Sequence, residues 1–290
     1  MKKSSLEGFM KYVFLFSSVI STLAIILIAY FIFAEGLPII FEHGLGNFLL
    51  GEKWAPSASS PSYGILPMII GSIYVTIGAI IIGVPIGILT AIYMAKFCSG
   101  KLYRFLKPCV NLMAGIPSIV YGFFALVVIV PIMRQVLGGT GMNIITASIL
   151  LGVMILPTII GVSESALRAV PNSYYEGSVA LGASHERSVM SVILPAAGSG
   201  ILSSVILGIG RAIGETMALV LVAGNQPRIP ESITQGTRTM TTNIVLEMAY
   251  AAGDHRQALI ATASVLFIFI LIINGGFLIL KRRGKYWLDL

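Results

Sequence analysis

At 290 residues, with 56% hydrophobic and only 11% charged residues and a mean hydropathy of +0.92, the chain is too apolar for a soluble enzyme or a disordered segment. A formal net charge of +7 raises nucleic acid as a partner, but the basic residues stand in short groups between apolar runs, with no basic block interleaved with aromatics. That pattern excludes a nucleic-acid protein and leaves a membrane protein.

In chain order, Lys2, Lys3 and Lys11 precede an uncharged run from Val13 to Ala34, long enough to cross a hydrocarbon core of about 30 Å. No short apolar region with a small-residue cleavage site replaces it, so this first span is expected to be retained. Glu35 to Tyr63, with KWAPSASSPSYG, reads as an external loop. Gly64 to Ala95 is uncharged and longer than a bilayer needs, so it must tilt, bend or extend, and Pro85 between Gly83 and Gly87 marks a kink or a close helix contact. Lys96, Lys101, Arg104 and Lys107 follow; Cys98 and Cys109, which flank the last three, read as unpaired thiols on the cytoplasmic side. The third span is expected over Pro108 to Met133, with AGIPSIVYG at its start suggesting a broken or tightly packed entry.

After Arg134 and GGTG, a fourth span covers Asn143 to Ser163 and closes at Glu164, Arg168 and Pro171. A polar, helix-compatible island, EGSVALGASHERSVMSVILP at Glu176 to Pro195, separates it from a fifth span that runs to about Gly224 and contains Arg211 and Glu215. Asn225 to Gln257 is a long polar connection; the apolar patch NIVLEMAYAA inside it reads as a short helix at the membrane surface or dipping back in. Ala258 to Leu280 is the sixth span, and KRRGK follows. Trp54 and Trp287 read as interfacial anchors.

Six spans put both termini on one side. Thirteen of the nineteen Lys and Arg residues fall there, five (Lys53, Arg134, Arg228, Arg238, Arg256) on the other, and Arg211 within a span. By the positive-inside rule the termini and the island are expected in the cytoplasm.

Within the fifth span, a spacing of four is expected to set Arg211 and Glu215 on one helical face, with Gly210 and Gly214 inviting a close neighbouring helix. A charge at such depth costs about 2.5–3.5 kcal/mol and faces a protein interior or a watery passage. Two readings stay open: Arg211 offers a forked cationic donor to a passing oxyanion with Glu215 tuning it, or the two belong to a buried salt bridge, within the chain or to a partner. Ser118, Tyr121 and Thr216 are weaker candidates for the passage, against the ordinary role of such residues in helix packing. No GxxxxGK[ST] phosphate loop, GxSxG elbow or metal-ligand spacing among His43, His185 and His255 is present, so no catalytic role, cofactor or metal is expected. His185 reads as a surface histidine.

The island, with Glu176, the small pair Gly177 and Ser178, Gly182, and Val192 with Leu194-Pro195 at fixed separations, resembles the EAA loop of bacterial ABC importer permeases. The departure is Gly177-Ser178 in place of Ala-Ala, which keeps the small size and lowers helix propensity. Taken with GRAIGETMALVLVAGN and AGIPSIVYGFF, the chain from about Gly64 to Leu280 is similar to the PstC-type permease subunits of bacterial phosphate importers. The resemblance implies an all-α, six-span permease of the type I, MetI-like fold in the bacterial inner membrane, with an N-terminal helix and loop at 1–63, a permease domain at 64–281, a coupling loop at 171–195 and a tail at 282–290. It further implies that Glu176, Gly177, Ser178, Ala180, Leu181 and Gly182 dock on a PstB-type ATPase dimer that hydrolyses ATP. A PstA-type second permease, a PstS-type external phosphate-binding protein and membrane lipid would complete the partners. Molybdate or sulfate is the alternative cargo, and a gradient-driven secondary transporter the alternative class, although no repeated halves are visible.

Overall fold

The structure, a computed structural model, describes residues 2–286; Trp287 lies outside the described residues. Fourteen α-helices and three short wider-turn helical segments carry the described residues, with one two-stranded hairpin. Helix α1 (Lys2–His43) lies against α14 (Asp254–Tyr286), and α2 (Leu45–Leu50) leads into β1 (Trp54–Ala55) and β2 (Ser62–Tyr63), which pair antiparallel with Trp54 opposite Tyr63. Much of what reads as a loop after Glu35 is therefore helix and hairpin.

Helix α3 (Leu66–Ile92) runs through Pro85 as one element and ends in a wide turn at Tyr93–Phe97. Helices α4 (Gly100–Gly115) and α5 (Ser118–Phe124) are separated by Ile116 and Pro117 in extended conformation. Proline disfavours helical geometry in the residue before it and supplies no N–H to bond back. The third apolar helix accordingly spans Ser118–Leu137, with α6 (Val130–Leu137) at its end, and not Pro108 to Met133; Pro108 sits inside α4.

Helix α7 (Ile144–Ala169) starts where Asn143 Oδ1 accepts from Thr146 N–H at 2.9 Å. It packs along α3 to form the spine of the fold. Their backbones come close because a Cβ on Gly83 would lie 2.7 Å from the Gly152 carbonyl oxygen.

After α8 (Asn172–Ala180), α9 (His185–Ser188) and α10 (Leu194–Ala196), the chain bends by 68° into α11 (Gly198–Gly214). Helix α12 (Met217–Val222) follows a second break. The described residues thus hold five helices long and apolar enough to cross a membrane, and a sixth only if the bent pair is one span. The long polar connection contains α13 (Met240–Glu247), whose first half, Met240 to Asn243, is buried among α3, α12 and α14.

Buried apolar residues cluster along the α3–α7 spine, at the hairpin end of α3 around Phe48, Trp54, Met68 and Met240, and at its other end around Ile92, Leu167, Val189 and Ile193. Most of α1 and the outward faces of α3 and α5 leave large apolar side chains exposed, as a lipid-facing surface requires.

The Gly83 contact sets an expected outcome. Gly83→Ala should destabilise the protein by about 1–3 kcal/mol through overpacking against backbone, read as a lower thermal midpoint of the detergent-purified protein. Gly46→Ala, where a Cβ meets nothing within 4 Å, should leave the midpoint unchanged or raised.

Candidate functional site: a broken span and an exposed coupling stretch

The fifth span is not a continuous helix at its charged end. Helix α11 stops at Gly214; Glu215 is extended (φ −68, ψ 133) and Thr216 lies at φ −125, ψ −62 before α12 begins. Gly210 and Gly214 weaken the helix locally, and the Glu215 carboxylate stabilises the new start by accepting from Ala218 N–H through Oε1 at 3.1 Å. Arg211 and Glu215 therefore do not share one helical face. Among the described residues no ion pair joins them. Arg211 instead directs Nη1 to the hydroxyl of Thr158 at 3.3 Å.

Four helices meet around this break. Thr158 comes from α7, directly after Pro157. Helix α5 lies against α12 so closely that a Cβ on Gly122 would stand 2.8 Å from Ala218 Cα. Tyr121 donates its hydroxyl to the Met113 carbonyl at 2.8 Å, bridging the α4–α5 break, and is within electrostatic reach of Arg211. Ser118 is half-buried at the first residue of α5; no hydrogen bond joins it or Tyr121 to Arg211 among the described residues. Thr216 turns its hydroxyl back to the Gly214 carbonyl at 3.2 Å. Where a Cβ on Gly210 or Gly214 would stand, no other part of the described chain lies within 4 Å. The close neighbouring helix expected there is not found among the described residues.

The coupling stretch stands apart. Glu176, Gly177, Ala180, Leu181 and Gly182 are exposed, and Leu181 at 92% is the most exposed large apolar side chain of the described residues. Gly182 adopts φ +88, a left-handed geometry that suits glycine. The chain reverses there, and Ser184 accepts from Arg187 N–H to start α9. Ser178, half-buried, faces inward to Ser188 with the two hydroxyl oxygens 3.0 Å apart. Glu176, Glu186 and Arg187 form no ion pair with one another among the described residues.

His185 is not a surface residue. It is half-buried with both ring nitrogens engaged: Nε2 with the Lys96 carbonyl and Nδ1 with the Tyr175 hydroxyl, each at 3.0 Å. A carbonyl can only accept, so Nε2 carries the hydrogen and the ring ties the coupling stretch to the end of α3.

Nearby, Glu164 of α7, 1% exposed, accepts from the Tyr103 hydroxyl at 2.7 Å, from Lys107 Nζ at 2.7 Å and from Arg168 Nε at 2.8 Å. Arg168 also donates to the Met94 carbonyl at 2.9 Å and lies 4.5 Å over the Tyr103 ring. Donation to Glu164 first, then burial, pushes the Tyr103 phenol above its ordinary pKa, so it stays a donor. This knot was legible only as two pairs at a spacing of four, Tyr103 with Lys107 and Glu164 with Arg168, at neighbouring apolar boundaries.

A second knot holds the hairpin end. Glu247 of α13 accepts from Trp54 Nε1 and His255 Nε2, both at 2.8 Å, and pairs with Arg238. Trp54 is thus a buried hydrogen-bond donor.

A broken span carrying a half-buried arginine, together with an exposed helical stretch on the connection before it, stands within a set of apolar helices of span length and defines a multi-pass membrane protein. The chain belongs to the family of binding-protein-dependent transport system inner membrane components, whose sequence pattern matches residues 83–286. It is 38% identical over 260 residues to the probable ABC transporter permease protein YqgH of Bacillus subtilis, covering 87% of this chain and 84% of that one. It is 32% identical over 248 residues to the phosphate transport system permease protein PstC of Mesorhizobium japonicum, covering 78% and 75%.

In fold, it matches a chain of the MetNI methionine ABC transporter, in an inward-facing conformation, with a TM-score of 0.61 at 22% identity, over 76% of this chain and 95% of that one. It also matches a chain of a bacterial alginate ABC transporter with a TM-score of 0.63 at 16% identity, over 93% and 94%. The protein is therefore a multi-pass inner-membrane permease of the ABC importer class, with the MetI-like fold, and its family works with an ATPase and a substrate-binding protein.

The Glu164 knot generates an expected outcome. Lys107→Met combined with Arg168→Met strands a buried carboxylate and should cost about 3–5 kcal/mol. Adding Glu164→Gln to that pair removes the charge at constant size and should recover part of the loss. Both are read from thermal unfolding of the purified protein.

Proposed function

We propose that this chain is the PstC-type permease of a phosphate importer and that phosphate passes the break between α11 and α12. The observation that carries the reading is Arg211. Its guanidinium stands in the membrane domain held by a neutral hydroxyl, while the nearest carboxylate in sequence, Glu215, is turned to the start of α12. A cation without a bound carboxylate at that depth is suited to a tetrahedral oxyanion, which accepts from the guanidinium fork. The phosphate permeases among the relatives support the cargo; the relative from Bacillus subtilis carries no cargo in its description.

In this reading, Thr158 and Glu215 position Arg211, while Thr216, Tyr121 and Ser118 line the neighbouring wall. Phosphate is held weakly, because import requires release. A PstS-type binding protein delivers it on the side opposite the positively charged termini, and a PstA-type permease completes the passage, meeting this chain along the open face at Gly210 and Gly214. ATP is bound and hydrolysed by a PstB-type dimer, into which Leu181 inserts as an apolar knob, with Gly177, Ala180 and Gly182 keeping the backbones close. Alternating access follows when motion of that knob is carried through α10 into α11.

Two measurements test the reading in vesicles holding the assembled importer. Arg211→Gln should lower phosphate uptake about ten- to a hundredfold while assembly and ATP hydrolysis persist, as expected for loss of a charged hydrogen-bonding partner. Normal uptake would remove Arg211 from the passage, and equal competition by sulfate or molybdate would remove phosphate as the cargo. Leu181→Asp should abolish copurification of the ATPase; retained copurification with full uptake would remove the knob.

A further inference from the structure

Helix α13 reaches the break in the fifth span through a row of threonines. Thr239 caps α13: its hydroxyl accepts from Thr242 N–H at 3.3 Å, while the Thr242 hydroxyl oxygen accepts from Thr239 N–H at 2.9 Å. The Thr239 and Thr241 hydroxyl oxygens are 2.9 Å apart, and the Thr241 hydroxyl stands 2.9 Å from the carbonyl oxygen of Glu215. A carbonyl only accepts, so the Thr241 hydrogen goes to Glu215. The Thr242 hydrogen goes to the Thr239 carbonyl at 3.0 Å, which leaves the one hydrogen of Thr239 shared between the Thr241 hydroxyl and the Thr242 hydroxyl, 3.1 Å away; in a low-dielectric surrounding such linked hydroxyls strengthen one another.

These threonines are buried, Thr239 at 2%, Thr241 at 7% and Thr242 at 0% exposure. The carbonyl at the end of the row belongs to the residue whose extended backbone interrupts the span. An unpartnered carbonyl is costly in apolar surroundings, so whatever donates to Glu215 also sets the conformation of the break. The helix that carries the donor is itself fixed at both ends. Met240 N–H donates to the Ser72 hydroxyl of α3 at 3.0 Å, and Glu247 is held by Arg238, Trp54 and His255.

We propose that Thr241 is a positioning residue of the transport passage and that α13 is its outer latch, holding the Glu215 carbonyl out of the helix and the break in this arrangement. Release of Thr241 obliges the Glu215 carbonyl to take another donor, so movement of α13 and rearrangement beside Arg211 and Glu215 are one event. The proposal rests on the passage described above but not on its cargo. It gives the loop from Asn225 to Gln257, on the side the charge distribution places outside, a defined task.

The test uses the assembled importer in right-side-out vesicles, without ATP, carrying Cys98→Ser and Cys109→Ser and the reporter Thr216→Cys. A membrane-impermeant thiol reagent is added outside. Thr241→Val, which keeps the shape and removes the hydroxyl, should raise the labelling rate about fivefold or more, on the scale of one lost hydrogen bond. Thr241→Ser should leave the rate at the starting value. An unchanged or reduced rate with Thr241→Val, or an equal rise with Thr241→Ser, overturns the latch. If Thr241→Val does not assemble, Thr241→Ala removes the same hydroxyl and is read in the same way, with an unchanged rate again decisive against the latch. Labelling reports the break irrespective of cargo. A failure here beside a loss of uptake in Arg211→Gln would leave the passage standing, and the reverse pair of results would leave only the latch.

Discussion

In hydrocarbon every backbone N–H and C=O must find a partner inside the protein, and this constraint decides where the chain can stop being a helix. The span that carries Arg211 is interrupted at Glu215, and the interruption persists because side chains stand in for the lost helical bonds. The Glu215 carboxylate takes Ala218 N–H, and Thr241 supplies a hydroxyl to the Glu215 carbonyl. Elsewhere the breaks follow the same rule. At Ile116-Pro117 the Tyr121 hydroxyl satisfies the Met113 carbonyl. Irregular backbone occurs where polar side chains are available to receive it.

The two ends of the α3–α7 spine are closed by the same device in different elements. Glu164 at one end and Glu247 at the other are each buried carboxylates with three donors, combining a basic side chain with an aromatic or imidazole donor. A buried ion pair adds little net stability, but removing one partner is costly, so such knots specify geometry more than they stabilise it. They fix α4 to α7 at the coupling end and α13 to the hairpin and α14 at the other. The middle, around Arg211, is held by single bonds between neutral hydroxyls, carbonyls and one guanidinium. The two charged knots flank this more lightly held middle.

The broad architecture was legible because apolar runs of span length, punctuated by Gly, Pro and short basic groups, leave few alternatives. The exposure of the stretch around Glu176 to Gly182 was legible because glycine and polar residues interrupt an otherwise apolar chain there. What stayed hidden were contacts between distant residues. Nothing local to Thr158, Thr241 or Trp54 announces that they bond to Arg211, Glu215 and Glu247. Arg211 and Glu215 misled for a related reason: a spacing of four implies a shared face only if the helix is continuous, and Gly214 with the side-chain cap from Glu215 ends it between them. His185 likewise looked solvated because its partners, Lys96 and Tyr175, come from elements that only folding brings to it.

Under the proposed function, the placement of these parts joins the coupling stretch to the passage by a short mechanical path. Gly182 reverses the chain, α9 and the wide turn after it lead into α10, and the bend near Ala197 passes directly into α11. At about 1.5 Å per residue, α11 is a rod of roughly 25 Å, with the exposed Leu181 on one side of the bend and Arg211 in the last turn of the rod. In that reading, a displacement at the coupling stretch is not absorbed within α11. It is delivered to Gly214 and Glu215, the first place where the backbone leaves helical geometry. Because the carbonyl there is tied to α13, a push from the coupling side and a pull from the hairpin side act on the same residue, and the broken span is where the two ends of the protein meet.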